Sequence, residues 1–281
     1  MSDVPSLYKD VGKKARDLVS KNFPDSMNLE VNHSQPLEVK LNTFHRTKGS
    51  STIEIEASHN FVAPYLNLPT KVTVFTDSLE KFHIEEQVEN FLLPGNKFTY
   101  RLSAKAGNFE NKVSTEYKRP LLALTNSVTV AGKTNVNSSV AVGNKEGFVA
   151  GGEGELSVDA GQLTTSALGA SYIRKDFEVS GFVKNGKGTS YILSLWSVLP
   201  QVGANFATEV TYDASHTVSA RLALEKKLAP SVTGKLRWDN KNIVGLSFVS
   251  KLNDSTELTF AEELDFENAK VSKVGFTLAF K

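Results

Sequence analysis

A period-two alternation of apolar and polar side chains starts near residue 28 and persists to the C-terminus, and it limits the folds open to this chain more than any other feature. In 98–106 one face carries Phe98, Tyr100, Leu102, Ala104 and Ala106, and the other Thr99, Arg101, Ser103 and Lys105. Segment 217–224 sets Val218, Ala220, Leu222 and Leu224 against Thr217, Ser219, Arg221 and Ala223. Segment 232–238 sets Val232, Gly234, Leu236 and Trp238 against Thr233, Lys235 and Arg237. Residues 52–57 give Ile53, Ile55 and Ala57 against Thr52, Glu54 and Glu56, and 273–280 give Val274, Phe276, Leu278 and Phe280 against Lys273, Gly275, Thr277 and Ala279. Successive side chains of a strand point to opposite faces, so each segment reads as a strand between two different environments. Turn-forming clusters separate them: Thr47-Lys48-Gly49-Ser50, Ala106-Gly107-Asn108, Asn185-Gly186-Lys187-Gly188, Asp239-Asn240-Lys241-Asn242 and Asn253-Asp254-Ser255. No second helical pattern intervenes, which favours consecutive antiparallel hairpins over parallel βαβ units. Segments 58–69, with two prolines, and 120–127 alternate poorly, and the pattern places no strands there.

An unbroken meander of roughly 17–20 strands is a single domain, and open twisted sheets rarely exceed about 10 strands before curling, so the expected fold is all-β and closed into a barrel. A barrel of that size is too wide for side chains to fill. Its charged face then lines water and its apolar face meets a nonaqueous medium, which is lipid; closure leaves no unpaired backbone edge. The reverse facing would set Arg101, Lys105, Arg221, Lys235 and Arg237 against hydrocarbon, at about 2–4 kcal/mol each near the bilayer midplane. Together these would exceed the stability of a typical domain. Two β-sandwiches or a propeller with dry cores escape this arithmetic, but the chain has neither a blade-length repeat nor a linker. No apolar run reaches the roughly 18 residues of a spanning helix, and the N-terminus lacks the apolar core of a secretory signal.

Residues 6–22 form the one helical pattern. Leu7, Val11, Ala15 and Leu18 make an apolar stripe, with Lys9, Lys13, Lys14, Arg16 and Lys21 mostly off it and Pro5 and Pro24 bounding it. Gly12 interrupts the stripe, so the helix is marginal in water and needs a surface, whether a protein wall or a membrane.

Several function classes drop out. With 32 Lys+Arg against 31 Asp+Glu the net charge is +1, which gives no global grip on nucleic acid. There is no cysteine, hence no disulfide, thiolate nucleophile or cysteine-ligated metal. His33, His45, His59, His83 and His216 lack close metal-ligand spacing. Gly181 and Gly186-Lys187 have phosphate-loop spacing, but Gly188 stands at the Ser/Thr place and no helix follows, so the stretch reads as a hairpin turn. Asn32-His33-Ser34 and Asn253-Asp254-Ser255 are glycosylation sequons that matter only in a secretory compartment. With no nucleophile elbow either, neither an enzyme nor a cofactor site is expected. Trp196, Trp238, Tyr191 and Tyr212 suit an aromatic girdle at the membrane interfaces, or an ordinary core.

The segment LYKDVGKKARDLVSKNF at 7–23 resembles the N-terminal helix of the mitochondrial porins, the voltage-dependent anion channels, especially plant and protist members. LLPGNKFTYRLSAKAGNFENKVSTEYKR at 92–119 and NKEGFVAGGEGELSV at 144–158 resemble the family's central strands, and VTGKLRWDNKNIVGLSFVSKL at 232–252 its C-terminal signature hairpins. Residues 45–90 and 120–143 match poorly. The resemblance implies a barrel of about 19 strands, residues 26–281, with residues 1–25 forming a helix inside the lumen and the first and last strands paired in parallel. It also implies a mitochondrial outer-membrane location, passage of ATP, ADP, phosphate and other small anions, and association into homo-oligomers or membrane complexes. The ending KVGFTLAF resembles the sorting signal of mitochondrial outer-membrane barrels, with Lys273, Gly275, Leu278 and Phe280 at the signal positions, read by the mitochondrial sorting machinery. The family's nucleotide-contact motif corresponds to Gly95-Asn96-Lys97; its leucine is absent, but Lys97 keeps its place. The resemblance does not place the family's membrane-facing glutamate, linked to kinase docking in some members, because 52–76 matches poorly.

A wide wet pore selects by the field of its lining charges. On the alternation, Lys40, Arg101, Lys105, Arg221, Lys235 and Arg237 line the lumen and concentrate anions, while Glu38, Glu54 and Glu56 oppose them. Lys13, Lys14, Arg16 and Lys21 add positive charge if the helix lies against the wall. The expected function is a voltage-gated channel of weak anion preference; the rivals are a mitochondrial protein-import barrel and a soluble all-β binding protein.

Overall fold

The structure is a computed structural model that describes residues 7–23, 27–33, 38–45, 52–64, 66–77, 81–105 and 107–280. The barrel opens with β1 (Met27–His33), β2 (Glu38–His45), β3 (Thr52–Ala63), β4 (Leu68–Asp77), β5 (Lys81–Glu89) and β6 (Asn96–Lys105). It continues through β7 (Asn108–Arg119), β8 (Leu122–Val130), β9 (Thr134–Gly143), β10 (Phe148–Ser157), β11 (Gln162–Ile173), β12 (Phe177–Asn185) and β13 (Thr189–Leu199). It ends with β14 (Ala204–Tyr212), β15 (Val218–Ala229), β16 (Val232–Asp239), β17 (Ile243–Asn253), β18 (Thr256–Asp265) and β19 (Lys270–Phe280).

Each strand pairs antiparallel with the next, and β1 also pairs in parallel with β19, from Met27 beside Phe276 to Val31 beside Phe280, so the 19-stranded sheet closes on itself. A meander reverses direction at every hairpin, and its nineteenth strand must therefore run the same way as its first. Typical strands are 10 to 12 residues long. At about 3.3 Å per residue and a tilt near 40° that length spans roughly 25–30 Å, the height of a bilayer's apolar band.

Turn chemistry accounts for the hairpins. The stretch with phosphate-loop spacing is the turn between β12 and β13, with a strand after it. Between β14 and β15 the Asp213 carboxylate accepts from the Ser215 hydroxyl at 2.6 Å and from the Ser215 and Thr217 amides at 2.9 and 3.0 Å. The Ser215 hydroxyl, with the Thr217 amide behind it, holds the Asp213 carboxyl below its ordinary range. The poorly patterned 58–69 region resolves into the end of β3, a turn at Pro64 and the start of β4; Pro69 sits in the first residues of that strand, a position where proline is tolerated. Pro120 likewise lies in the turn before β8. The turn expected at Thr47–Ser50 lies outside the described residues, as do Pro5, Ser6 and Pro24 and, in the next turn cluster, Ala106.

The outer face is apolar along most strands: Leu168 is 69% and Leu193 65% exposed. Among the described residues two carboxylates within the strands break the rule. Glu86 on β5 shares the outward row of Val72 and Tyr100, and Glu262 on β18 that of Leu246 and Val274.

Candidate functional site: the charged lumen and its N-terminal segment

The N-terminal pattern forms two pieces, not the single helix expected over 6–22. A 3-10 turn at Tyr8–Asp10 is followed by Val11 and Gly12, and then by α1 (Lys13–Ser20). Gly12 causes the break: it sits at φ +69°, ψ +13°, a left-handed conformation open to glycine at little cost. The bend presents its N–H to a buried carboxylate on the wall, Glu178 Oε1 of β12, at 2.9 Å. A methyl group at this position would meet Ser180 Oγ at 2.5 Å and the Phe182 ring at 3.0 Å.

Both pieces bury the expected stripe. Leu7, Tyr8 and Val11 pack with Ala123, Ala141, Val149, Ala167 and Phe182; Ala15, Leu18 and Val19 pack with Ala207, Ala223 and Trp196. Alanines on the wall let the segment lie close. The Tyr8 hydroxyl is buried without a hydrogen-bond partner among the described residues; burial, reinforced by Glu153 and partly offset by Arg16, pushes its pKa up to about 12.

These contacts fix which face is the lumen. Lys9 Nζ bonds Glu116 on β7 at 2.8 Å, and Arg237 on β16 donates to the Val19 carbonyl at 3.3 Å. Nine inter-strand steps of about 4.8 Å separate β7 from β16, some 43 Å of perimeter, whereas ten residues of helix reach only about 15–20 Å. A rod that short touches both strands only from inside the closed wall.

The same parity carries the expected lining residues into the lumen, and nearly all arrive paired. Lys40 lies 3.6 Å from Glu38 and 3.5 Å from Glu56. Arg101 pairs with Glu85, its Nε at 2.6 Å. Arg221 is 3.9 Å from Glu209, and the buried Lys235 is 2.9 Å from Glu225. Arg237 pairs with Glu263 and lies 4.4 Å from the Phe23 ring. Lys105 stands exposed at the strand end with no ion-pair partner among the described residues. On the segment, Lys13 pairs with Asp10 at 3.6 Å and Lys21 with Asp17 at 2.9 Å, while Arg16 donates to the Lys9 carbonyl at 2.6 Å. Lys97 lies on the lumen face between Glu89 and Glu116, its cross-strand neighbours. Lys273 is 3.4 Å from Glu263, Gly275 shares its inner face, and Leu278 and Phe280 lie on the outer one.

One expected position needs correction. Tyr191, Tyr212 and Trp238 face outward, but Trp196 does not belong to the girdle: it points into the lumen, packs on α1 and carries Lys14 Nζ 4.3 Å from its ring centroid. Where the N-terminal segment covers the wall, the inner face of β13 carries Ile192 and Trp196 around Ser194, so a large apolar residue there does not by itself tell inside from outside. The sequence also left unnoticed Glu178 and the acids Glu85, Glu225 and Glu263; their only signal was a place on the polar face of a strand.

A family model described as eukaryotic porin matches residues 4–275. The chain is similar to a mitochondrial outer membrane protein porin 1 of Arabidopsis thaliana, 24% identical over 99% of this chain and 98% of the relative. It is similar also to a voltage-dependent anion-selective channel of Drosophila melanogaster, 25% identical over 94% of each chain, and to an outer plastidial membrane protein porin of Pisum sativum, 22% identical over 99% and 98%.

Proposed function

The chain belongs to the eukaryotic porin family, and from that footing we propose that it is a voltage-closable, weakly anion-selective channel of the mitochondrial outer membrane that passes ATP, ADP, phosphate and other small anions. That it is an outer-membrane channel follows from the family and its barrel. The finer reading rests above all on one observation: the ionic face of the sheet lines a lumen whose wall also holds a basic N-terminal segment.

No bond chemistry is required. A hydrated ion crosses without shedding its shell, so the lining field alone biases its sign. Five of the six wall cations expected to line the lumen sit within 4 Å of a carboxylate, which cancels their field a few ångströms away and keeps the bias small. Lys97 and Lys105, with no ion pair among the described residues, add to the remaining attraction, and Lys97 is the residue proposed to meet a nucleotide phosphate. The ending around Lys273, Gly275, Leu278 and Phe280 serves as the mitochondrial sorting signal. The partners are membrane lipid, anionic metabolites, the sorting machinery and other copies or complexes in the same membrane.

Planar-bilayer recording of the purified chain tests this. Large conductance that closes with voltage and prefers anions weakly is expected; strong cation selectivity with peptide block would mean a protein-import pore. Arg101→Glu with Lys105→Glu should lower the anion/cation permeability ratio, and an unchanged reversal potential in a salt gradient would refute the facing of β6. Fractionation of organelles decides between mitochondrial and plastid outer membranes.

A further inference from the structure

The two rims of the barrel differ chemically. One rim, formed by the turns after even-numbered strands, is mostly polar, Val158 and Phe266 being its exposed large apolar turn residues, and is held by carboxylates: Asp213 caps Ser215 and Thr217, Asp239 accepts from the Lys241 amide at 2.9 Å, and Asp265 accepts from the Asn268 amide at 3.0 Å. The opposite rim collects every proline among the described residues: Pro64, Pro94, Pro120, Pro200 and Pro230 in turns, and Pro69 at the start of β4. Proline brings no N–H, so these turns present fewer donors that need water. Beside them stand exposed leucines: Leu92 at 81%, Leu93 at 53%, Leu66 at 51% and Leu121 at 48%. Leu92 and Leu121 hold φ of +63° and +74°, a region that asparagine or glycine enters more easily.

The outer surface just below that rim is basic. Arg119, at the end of β7, donates its Nε–H to the Tyr117 hydroxyl at 3.0 Å, with the guanidinium 5.7 Å from the ring centroid. The arrangement recurs four strands away, where Arg174 bonds the Tyr172 hydroxyl and lies 4.8 Å from that ring. Lys226 adds a third cation on the outer face of β15. The turns here mix signs, Lys145 and Lys175 beside Glu146 and Asp176. On the outer face itself the nearest carboxylate, Glu86, sits three residues inside its strand end. Each arginine spends Nε on tyrosine and keeps its two Nη groups, already oriented, for a phosphate.

We propose that this rim docks anionic phospholipid of one leaflet: the leucines enter the boundary between headgroups and acyl chains, and each Tyr–Arg pair holds a headgroup phosphate. The occupant follows from charge complementarity combined with apolar exposure on one surface. The proposal rests on the reading of the exterior as lipid-facing.

Native mass spectrometry of the full chain, released from micelles doped with phosphatidylglycerol or phosphatidylcholine, tests it. Phosphatidylglycerol should be retained preferentially, less so in half-molar salt. Arg119→Gln with Arg174→Gln should weaken retention at least tenfold, at roughly fivefold per cation. Lys133→Gln with Lys241→Gln, on the polar rim, should leave it unchanged. Equal retention of both lipids by the wild-type chain, equal loss from the polar-rim variant, or dimers in place of lipid adducts would overturn the proposal. Should the arginine variant fail to fold, the wild-type lipid and salt comparisons still decide. Conductance of the wild-type chain in phosphatidylcholine bilayers tests the channel reading separately.

Discussion

Tyr8 buries its ring edge-on to Phe182, 6.3 Å between centroids, and leaves its hydroxyl with no partner among the described residues. An unmet buried hydroxyl costs free energy that its removal restores, whereas the ring's packing survives the change to phenylalanine. Tyr8→Phe should therefore hold the N-terminal segment more firmly by about 1 kcal/mol. Proteolysis of the segment in detergent, timed against the wild-type chain, measures this; faster cleavage of the variant would show that the hydroxyl has a partner after all. Lys14 and Trp196 make the opposite case, since their cation–π contact at 4.3 Å ties a basic side chain to the wall without a carboxylate.

The N-terminal segment is marginal by propensity, and its break at Gly12 is fixed to the wall by one hydrogen bond and a close fit. Gly12→Ala forces a side chain into a left-handed backbone and into Ser180 and Phe182. At about 1–3 kcal/mol this should speed proteolysis of the segment by roughly fivefold to a hundredfold, with the strand signal in circular dichroism unchanged. Protection equal to that of the wild type would mean that the break is not what anchors the segment. Much of this element could be read from the sequence: the stripe of Leu7, Val11, Ala15 and Leu18 is the face that packs. The bend could not, because a glycine in a helical pattern reports weakness but not handedness, and Glu178 gives no hint of its partner 166 residues earlier. The strands from β6 onward were mostly legible, since their two faces meet media of opposite polarity. Legibility failed where that contrast vanishes: at β13, lined by Ile192 and Trp196 beneath the segment, and around the prolines of 58–69.

At the scale of the whole molecule the junction of β1 with β19 has the fewest residue pairs among the described residues of the wall. It has five residue pairs against nine between β5 and β6, and parallel pairing is slightly weaker per residue. Leu29 and Leu278 lie opposite each other there, and the chain has no native cysteine. Leu29→Cys with Leu278→Cys should cross-link under mild oxidant and raise the thermal midpoint; failure to cross-link would put the register in error. The odd strand count behind that junction also limits how such a wall can change. Duplicating or deleting a hairpin alters the number by two and preserves the like-directed meeting of first and last strands, so bore width changes in paired steps. Gain or loss of a single strand would send one terminus to the other compartment.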